Sequence, residues 1–317
     1  MKVVVKTPAR LHLGLIDMNG DLGRMFGGLG VGINHPNVIV EAKTAGDLQI
    51  TGKEVDMAKA LVDRFSSAYH VQPNVYLHVA ETITSHVGLG SGTQLSIAVA
   101  VALAKVLNVK ASVPELAVAM GRAKRTSVGT SIFQWGGFVV DGGKNIKTQA
   151  YPPLLYRQPF PLEWRFVIAV PNQHKGLSNS EENHAFDKLA VMPSLDVAQI
   201  CRLTMLKLLP AIAEHDIECF GDALTKIQVL TGQHFAQAQG GVYSSPVAAE
   251  CIEFLKSTGA YGVGQSSWGP ALYAVVKQKQ AKEVLSKVKA YLRRGVGGEA
   301  FIAKANNRGA TIKTFEA

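Results

Sequence analysis

The sequence predicts an α+β fold in two parts, on three observations. Segments with the two-residue alternation of strands and segments with the period of helices follow one another without the regular repeat of a doubly wound sheet. Three stretches dense in glycine, 14–32, 88–93 and 259–269, interrupt them. Pro152, Pro153, Pro159 and Pro161 crowd into 151–161, which reads as an extended linker between an N-terminal part, 1–150, and a C-terminal part, 162–317. A chain of 317 residues is long enough for two such lobes.

Each element has its own reason. Val3–Lys6 and Arg10–Ile16 read as strands, the second because Leu11, Leu13 and Leu15 alternate with His12 and Gly14. Val38–Ala42 and Leu48–Thr51 are short strands, Glu54–Tyr69 a helix and Val75–Val79 a strand. Thr93–Leu107 is an apolar, alanine-rich helix. Ser112-Val-Pro-Glu115 is a capping box with proline inside the first turn, and predicts a helix to about Arg125. Phe138–Asp141 is a strand that ends in Gly142-Gly143. Beyond the prolines come a strand at Arg165–Val170 and helices at Ala198–Ala213 and Ile217–Leu230. Ser245-Pro246 opens a helix to about Ser257. Ala271–Val276 is a strand, Ala281–Arg294 a helix, and Ala300–Ala303 and Thr311–Thr314 are closing strands.

Composition removes several classes of function. Apolar residues make up 47% and charged residues 18%, which excludes wholesale disorder. Cys201, Cys219 and Cys251 are too few and too spread for a disulfide framework or a zinc ribbon, which points to the reducing cytoplasm. Met1–Thr7 runs straight into a β-branched stretch, unlike a secretory leader, and Ile97–Ala104 is too short to span a bilayer, so no membrane partner is expected. Lys and Arg exceed Asp and Glu by 33 to 24, a formal charge of +9, which admits nucleic acid, a membrane surface or a small polyanion. The basic residues are mostly scattered, with one short patch at Arg122-Ala-Lys-Arg125 and a few more on Ala281–Arg294. No RNP aromatic motif or recognition helix accompanies them, so nucleic acid is not expected.

The middle glycine stretch, Gly88-Leu-Gly-Ser-Gly-Thr93, follows a strand and enters a helix. It reads either as a tight loop or as a phosphate cradle, because glycines permit close approach and the first amides of a helix have no internal partner. No Gly-Lys-Ser/Thr follows, so it is not a Walker loop, and the glycine spacing is not that of a dinucleotide fold.

With its two companions, this loop resembles a known motif set. Pro8-Ala-Arg-Leu-His-Leu-Gly14 resembles the N-terminal motif of the GHMP kinase superfamily. Gly88–Thr93 with its alanine-rich helix resembles the phosphate loop, and Gly262-Val-Gly-Gln-Ser-Ser-Trp-Gly-Pro270 the C-terminal glycine-rich motif. All three stand in the superfamily's order over nearly the whole chain. The resemblance implies an N-terminal lobe with a left-handed βαβ crossover, a rare connection, and a C-terminal ferredoxin-like lobe. An ATP-dependent small-molecule kinase is one activity this implies. Against it, Thr84 stands where the kinase loop has proline, and the loop ends in Ser91-Gly92-Thr93. The stretch Val128-Gly-Thr-Ser-Ile-Phe-Gln-Trp-Gly-Gly137, where many members carry a catalytic Asp, has no acid.

Longer strings resemble a non-kinase branch, the β-ribofuranosylaminobenzene 5′-phosphate synthases. They are Arg10–Gly20 with Leu22-Gly-Arg24, His86–Gln94, Phe138–Gly143, Lys175–Glu182, Gln239–Pro246 and Gly264–Pro270. This resemblance implies a transferase of methanopterin-type cofactor biosynthesis. It condenses 4-hydroxybenzoate or 4-aminobenzoate with phosphoribosyl pyrophosphate and releases CO2 and pyrophosphate. It also implies a homodimer, Mg2+ and no organic cofactor.

The residues can be weighed against that chemistry. Two anionic groups on the donor need two anion sites and Mg2+. Gly88, Gly90, Ser91, Gly92 and Thr93, with Gln265, Ser266 and Ser267, offer backbone and hydroxyls; the two loops are not assigned between the two groups. Arg10, Arg24 and Lys175 are the candidate cations at the leaving group, against a reading as surface charges. Asp17 is a candidate proton acceptor or a turn acid before Asn19-Gly20, and His12 a substrate donor or a structural histidine. Asp141 reads as a turn residue or a metal ligand, and Glu181 or Glu182 as helix-start acids or metal ligands, so metal ligands stay unassigned. Trp268 either stacks on the benzoate or packs its loop.

Overall fold

The computed structural model describes residues 1–172, 186 and 189–316. The N-terminal strands are β1 (Lys2–Lys6), β2 (Ala9–Asp17), β3 (Arg24–Ile33), β4 (Ile39–Thr44), β5 (Gln49–Gly52), β6 (Val75–Glu81), β7 (Phe138–Asp141), β8 (Lys144–Asn145) and β9 (Leu154–Gln158). The helices among them are α1 (Val55–Tyr69), α2 (Ser91–Val106), α3 (Val113–Ala119) and α4 (Val128–Trp135). The remainder comprises β10 (Trp164–Pro171), α5 (Ser194–Leu203), α6 (Leu209–Glu214), α7 (Ile217–Gln239), α8 (Pro246–Ser257), β11 (Gly262–Gln265), β12 (Leu272–Lys277), α9 (Ala281–Arg294), β13 (Gly298–Ala303) and β14 (Thr311–Phe315).

The described residues form three sheets. The first has the order β14-β1-β4-β6-β5, with β5 parallel to β6 and α1 joining that pair, where the sequence led us to expect the crossover. The second is β2-β3-β7-β9, with β8 paired to β3. The third has the order β11-β12-β10-β13, which is the strand order of a ferredoxin-like βαββαβ unit. On β10, Val167 and Ala169 pack with α8 and α9, while Phe166 and Ile168 join the main core with Phe160, Trp164, Phe220 and Tyr273. That main core continues through α2 into β1 and β4. Among the described residues no helix is long and apolar enough to cross a membrane.

Several elements differ from expectation for physical reasons. β3 occupies a stretch whose glycine density reads as loop, although its apolar residues keep the strand period. Its odd positions Leu29, Val31 and Ile33 are buried in the core, and Gly28, Gly30 and Gly32 face α4. A Cβ on Gly28 would stand 2.6 Å from Val128, and one on Gly30 would overlap the same side chain. The glycines therefore let α4 lie close against the strand. The segment 151–161 carries β9, which pairs with β7, and its four prolines bracket the strand. The helix expected to reach Arg125 keeps its capping box, with Glu115 N–H donating to Ser112 Oγ at 3.4 Å and Ser112 N–H to Glu115 Oε2 at 2.7 Å. It ends at Ala119, however, because Gly121 turns the chain with φ of +70°. The expected helix 198–213 is divided by a wider turn at Thr204–Leu208, just ahead of Pro210, which has no N–H to continue the ladder.

Candidate active site

The three motif segments, Pro8–Gly14, Gly88–Thr93 and Gly262–Pro270, meet through one hydroxyl. Ser266 is fully buried; its Oγ donates to the Gly88 carbonyl at 2.6 Å and accepts the His12 N–H at 3.0 Å. Arg10 adds a bond from Nη1 to the same carbonyl at 2.8 Å. Gly88 and Gly90 have φ of +85° and +82°, and a Cβ on Gly90 would stand 2.7 Å from the Arg10 side chain. Only glycine accommodates both the backbone conformation and that approach. Gln228 ties α7 to two of the segments, donating to the Leu13 carbonyl at 2.6 Å and accepting Gln265 N–H at 2.8 Å.

Beside this junction lies a cavity of about 370 Å³. One wall is cationic: Arg10 from β2, Arg64 from α1, and Arg122, Lys124 and Arg125 from the segment after α3. The other is aromatic: Phe186, Phe235 and Trp268, with Trp268 4.9 Å from Phe235 and 5.8 Å from Phe186 between ring centres. The walls meet where the Arg125 guanidinium lies 3.9 Å from the centre of the Phe186 ring. Among the described lining residues there is no carboxylate.

The expected site residues divide into two groups. His12, Arg10, Thr93, Gln265, Ser267 and Trp268 line the cavity. Burial, reinforced by the Arg10 charge, lowers the His12 pKa to about 3, so its imidazole is neutral at neutral pH. The Gln265 amide is committed, accepting Ser244 N–H from the turn before α8 at 2.8 Å and donating to the Ser267 carbonyl of its own loop at 2.9 Å. Gly88, Gly90, Ser91, Gly92 and Ser266 build the frame behind the cavity, with Ser91, Gly92 and Thr93 forming the first turn of α2. Asp17 accepts the N–H groups of Asn19 at 2.6 Å and Gly20 at 2.9 Å, the geometry of a turn acid. Arg24 donates to the carbonyls of Gly142 at 2.7 Å and Gly143 at 2.8 Å, outside the cavity lining. Asp141 is buried and accepts N–H groups of Ser127 and Gly143, bracing the start of α4; burial pushes its pKa up to about 7. Lys175, Glu181 and Glu182 lie outside the described residues.

Comparison with known proteins places this geometry. The model for the N-terminal domain of GHMP kinases matches residues 55–133, and that for the GHMP kinase C-terminal region matches 208–294. The chain is 33% identical to β-ribofuranosylphenol 5′-phosphate synthase of Methanothermobacter thermautotrophicus, over 88% of this chain and 90% of that one. It is 32% identical to the Archaeoglobus fulgidus protein of the same name, over 98% and 99%. The chain belongs to the β-ribofuranosylphenol 5′-phosphate synthase family. It is an enzyme of the transferase class, on the GHMP fold. The relatives' name carries phenol where the branch considered above carries aminobenzene. Among solved structures, homoserine kinase from Cytophaga hutchinsonii superposes with a TM-score of 0.70 at 15% identity, covering 98% of this chain and 97% of that one. Mevalonate diphosphate decarboxylase from Staphylococcus aureus gives 0.68 at 13%, covering 99% and 98%. At those identities the likeness is one of fold.

In this family member the sequence-based list misses most of the cationic wall. Arg122, Lys124 and Arg125 were visible as a basic patch, but the helix expected there would have turned Lys124 away from the face shared by Arg122 and Arg125. The turn at Gly121 instead delivers them to one cavity. Arg64 and Phe235 sit inside helices and gave no signal beyond their type. Among the described residues no three His, Cys, Asp or Glu side chains converge. The described lining residues, which include no carboxylate, do not form a cage for the expected Mg2+.

Proposed function

We propose that this enzyme joins a para-substituted benzoate to phosphoribosyl pyrophosphate, and that the benzoate is the hydroxy acid, since its relatives are named for a phenol product. The ring carbon bearing the carboxylate bonds to the anomeric carbon. The anomeric C–O bond breaks and its electron pair leaves with pyrophosphate. The ring–carboxylate bond then breaks, its pair restoring aromaticity as CO2 departs. One observation carries the reading: a single cavity has a cationic wall suited to phosphates and an aromatic wall suited to a benzoate. Cations near the leaving group stabilise the charge that develops there. Arg10 and the Arg122–Arg125 segment serve this role, with Lys175 as a further cation, and Asp17 and Arg24 position the strands behind them. Neutral His12 accepts a hydrogen bond from substrate, and Trp268 packs on the ring. A divalent cation would be carried by the donor rather than by the described lining residues, and would supply screening of the diphosphate charge. A homodimer in the cytoplasm, without nucleic-acid partners, completes the reading.

Carboxyl-labelled 4-hydroxybenzoate should release labelled CO2 only when phosphoribosyl pyrophosphate is present. No release from either the hydroxy or the amino acid would overturn the assignment. A kinase activity is the weaker alternative, because it draws on the fold and the phosphate loop alone, and α4 has no acid to act as base.

A further inference from the structure

Two arginines of the cationic wall share an unusual bonding pattern. Arg122 is anchored through Nε, which donates to Ser96 Oγ at 3.0 Å, and Ser96 Oγ in turn donates to the Gly92 carbonyl at 2.7 Å. Arg64 is anchored through Nε to the Ala119 carbonyl at 2.8 Å. Neither guanidinium has a hydrogen bond from Nη1 or Nη2 to any described residue, and no described carboxylate pairs with either. Each is thus oriented by one nitrogen and keeps its two others without a described partner, in a residue that lines the cavity.

Glycine makes room for both. A Cβ on Gly92 would stand 3.4 Å from Arg122 Nη1 and 3.5 Å from Nη2, so the guanidinium rests against the first turn of α2. A Cβ on Gly121 would stand 2.6 Å from Arg64 Nη2. The two side chains therefore converge on one place from α1 and from the segment after α3. Their charges oppose each other: burial, and then Arg64, lower the Arg122 pKa. Like charges held together with no described carboxylate paired to them are relieved by an anion from solution. A guanidinium fork matches one phosphoryl group, and two adjacent forks match two.

We propose that Arg64 and Arg122 form a subsite for a diphosphate group, beside the first turn of α2. On the reading proposed above, that group is the leaving pyrophosphate of the sugar donor. The binding claim itself needs no turnover, so it is tested separately.

The test is calorimetric titration of the full chain with inorganic pyrophosphate, without benzoate. Arg64→Gln and Arg122→Gln should each weaken binding about tenfold or more, since each removes charge-assisted bonds. Lys279→Gln, on the surface, should leave it unchanged. Inorganic phosphate should bind more weakly than pyrophosphate. Pyrophosphate affinity within twofold of the parent in both folded arginine variants would overturn the proposal. Arg64 is exposed, so its variant keeps the test decisive if Arg122→Gln does not fold; Arg122→Lys then reports on the second site. ADP and phosphoribosyl pyrophosphate, titrated in competition, separate the sources of the diphosphate. Arginine-dependent displacement by the sugar donor supports the assignment to it. Displacement by ADP alone leaves the subsite in place and overturns that assignment. A failed CO2 assay beside arginine-dependent pyrophosphate binding would remove the proposed reaction and leave the subsite.

Discussion

His12 and Arg24 stand on the paired strands β2 and β3 and illustrate two different uses of a polar side chain. His12 is neutral in the folded protein, its pKa lowered from 6.5 to about 3 by burial and Arg10. In the unfolded chain it titrates near 6.5, so between the two values the unfolded state binds a proton that the folded state does not. Its contribution to stability is therefore full above about pH 6.5 and is lost as pH falls toward about 3. Denaturant midpoints at pH 7 and at pH 4.5 should fall less steeply in His12→Asn than in the parent; an unchanged acid slope would assign that slope to other groups. Arg24 instead satisfies two carbonyls 118 and 119 residues away. Arg24→Gln should cost about 1–3 kcal/mol of stability by leaving those oxygens without a charged donor, read as a lower thermal midpoint. The sequence made both residues visible as candidates because they stand in family-like strings. What it withheld was the partner: a bond that spans more than a hundred residues leaves no trace in local pattern.

At the scale of elements, legibility followed side-chain periodicity. β2 and α9 were readable because their apolar residues repeat at the strand and helix periods: Leu11, Leu13 and Leu15 on one, Ala281, Val284, Val288 and Leu292 on the other, all buried. β3 and β11 were masked by glycines that read as loop, even though Leu29, Val31 and Ile33 of β3 keep the strand period, and in both strands glycine serves an approaching helix. Gly262 sits against Gly221 of α7, where a Cβ would stand 2.6 Å from the opposing Cα. On β3, Gly30→Ala should overpack the seam with α4 and destabilise by about 1–3 kcal/mol. The clash is with the Val128 side chain and, at 2.9 Å, with the Leu11 carbonyl. Val128→Ala in the Gly30→Ala background should therefore restore part of the loss but not all. No recovery in the double variant would mean that the backbone contact, not the valine, sets the cost. The same logic explains the cavity. Gly121 ends α3 early, and that single turn converts a scattered basic patch into a wall.

For the whole molecule, the charge excess and the lobes take a different meaning from their sequence reading. The +9 charge is not spread evenly in effect, since five cations face one cavity with no described carboxylate among its lining residues. The proline cluster does not free one part from the other, because β9 within it is a strand of the N-terminal sheet. The chain also returns: β14 pairs with β1, Ala305 bridges to Ile33, and Asn306 accepts the Gly137 N–H at 2.7 Å. The main hydrophobic core takes residues from both sides of the cluster, Val3 and Leu103 on one and Phe166, Phe220 and Tyr273 on the other. Separating the parts would expose that core and leave β1 without a neighbour on one edge. The full chain should accordingly unfold in one cooperative transition in guanidinium chloride. Fluorescence, which reports Trp164 in the core and Trp268 at the cavity together with the exposed Trp135, should coincide with far-UV circular dichroism, which reports the sheets and the helices. Two resolved steps, with the Trp164 signal lost in one and most helical signal in the other, would show lobes that fold independently. A single coincident step would tie formation of the cavity, whose walls come from both parts, to folding of the whole chain.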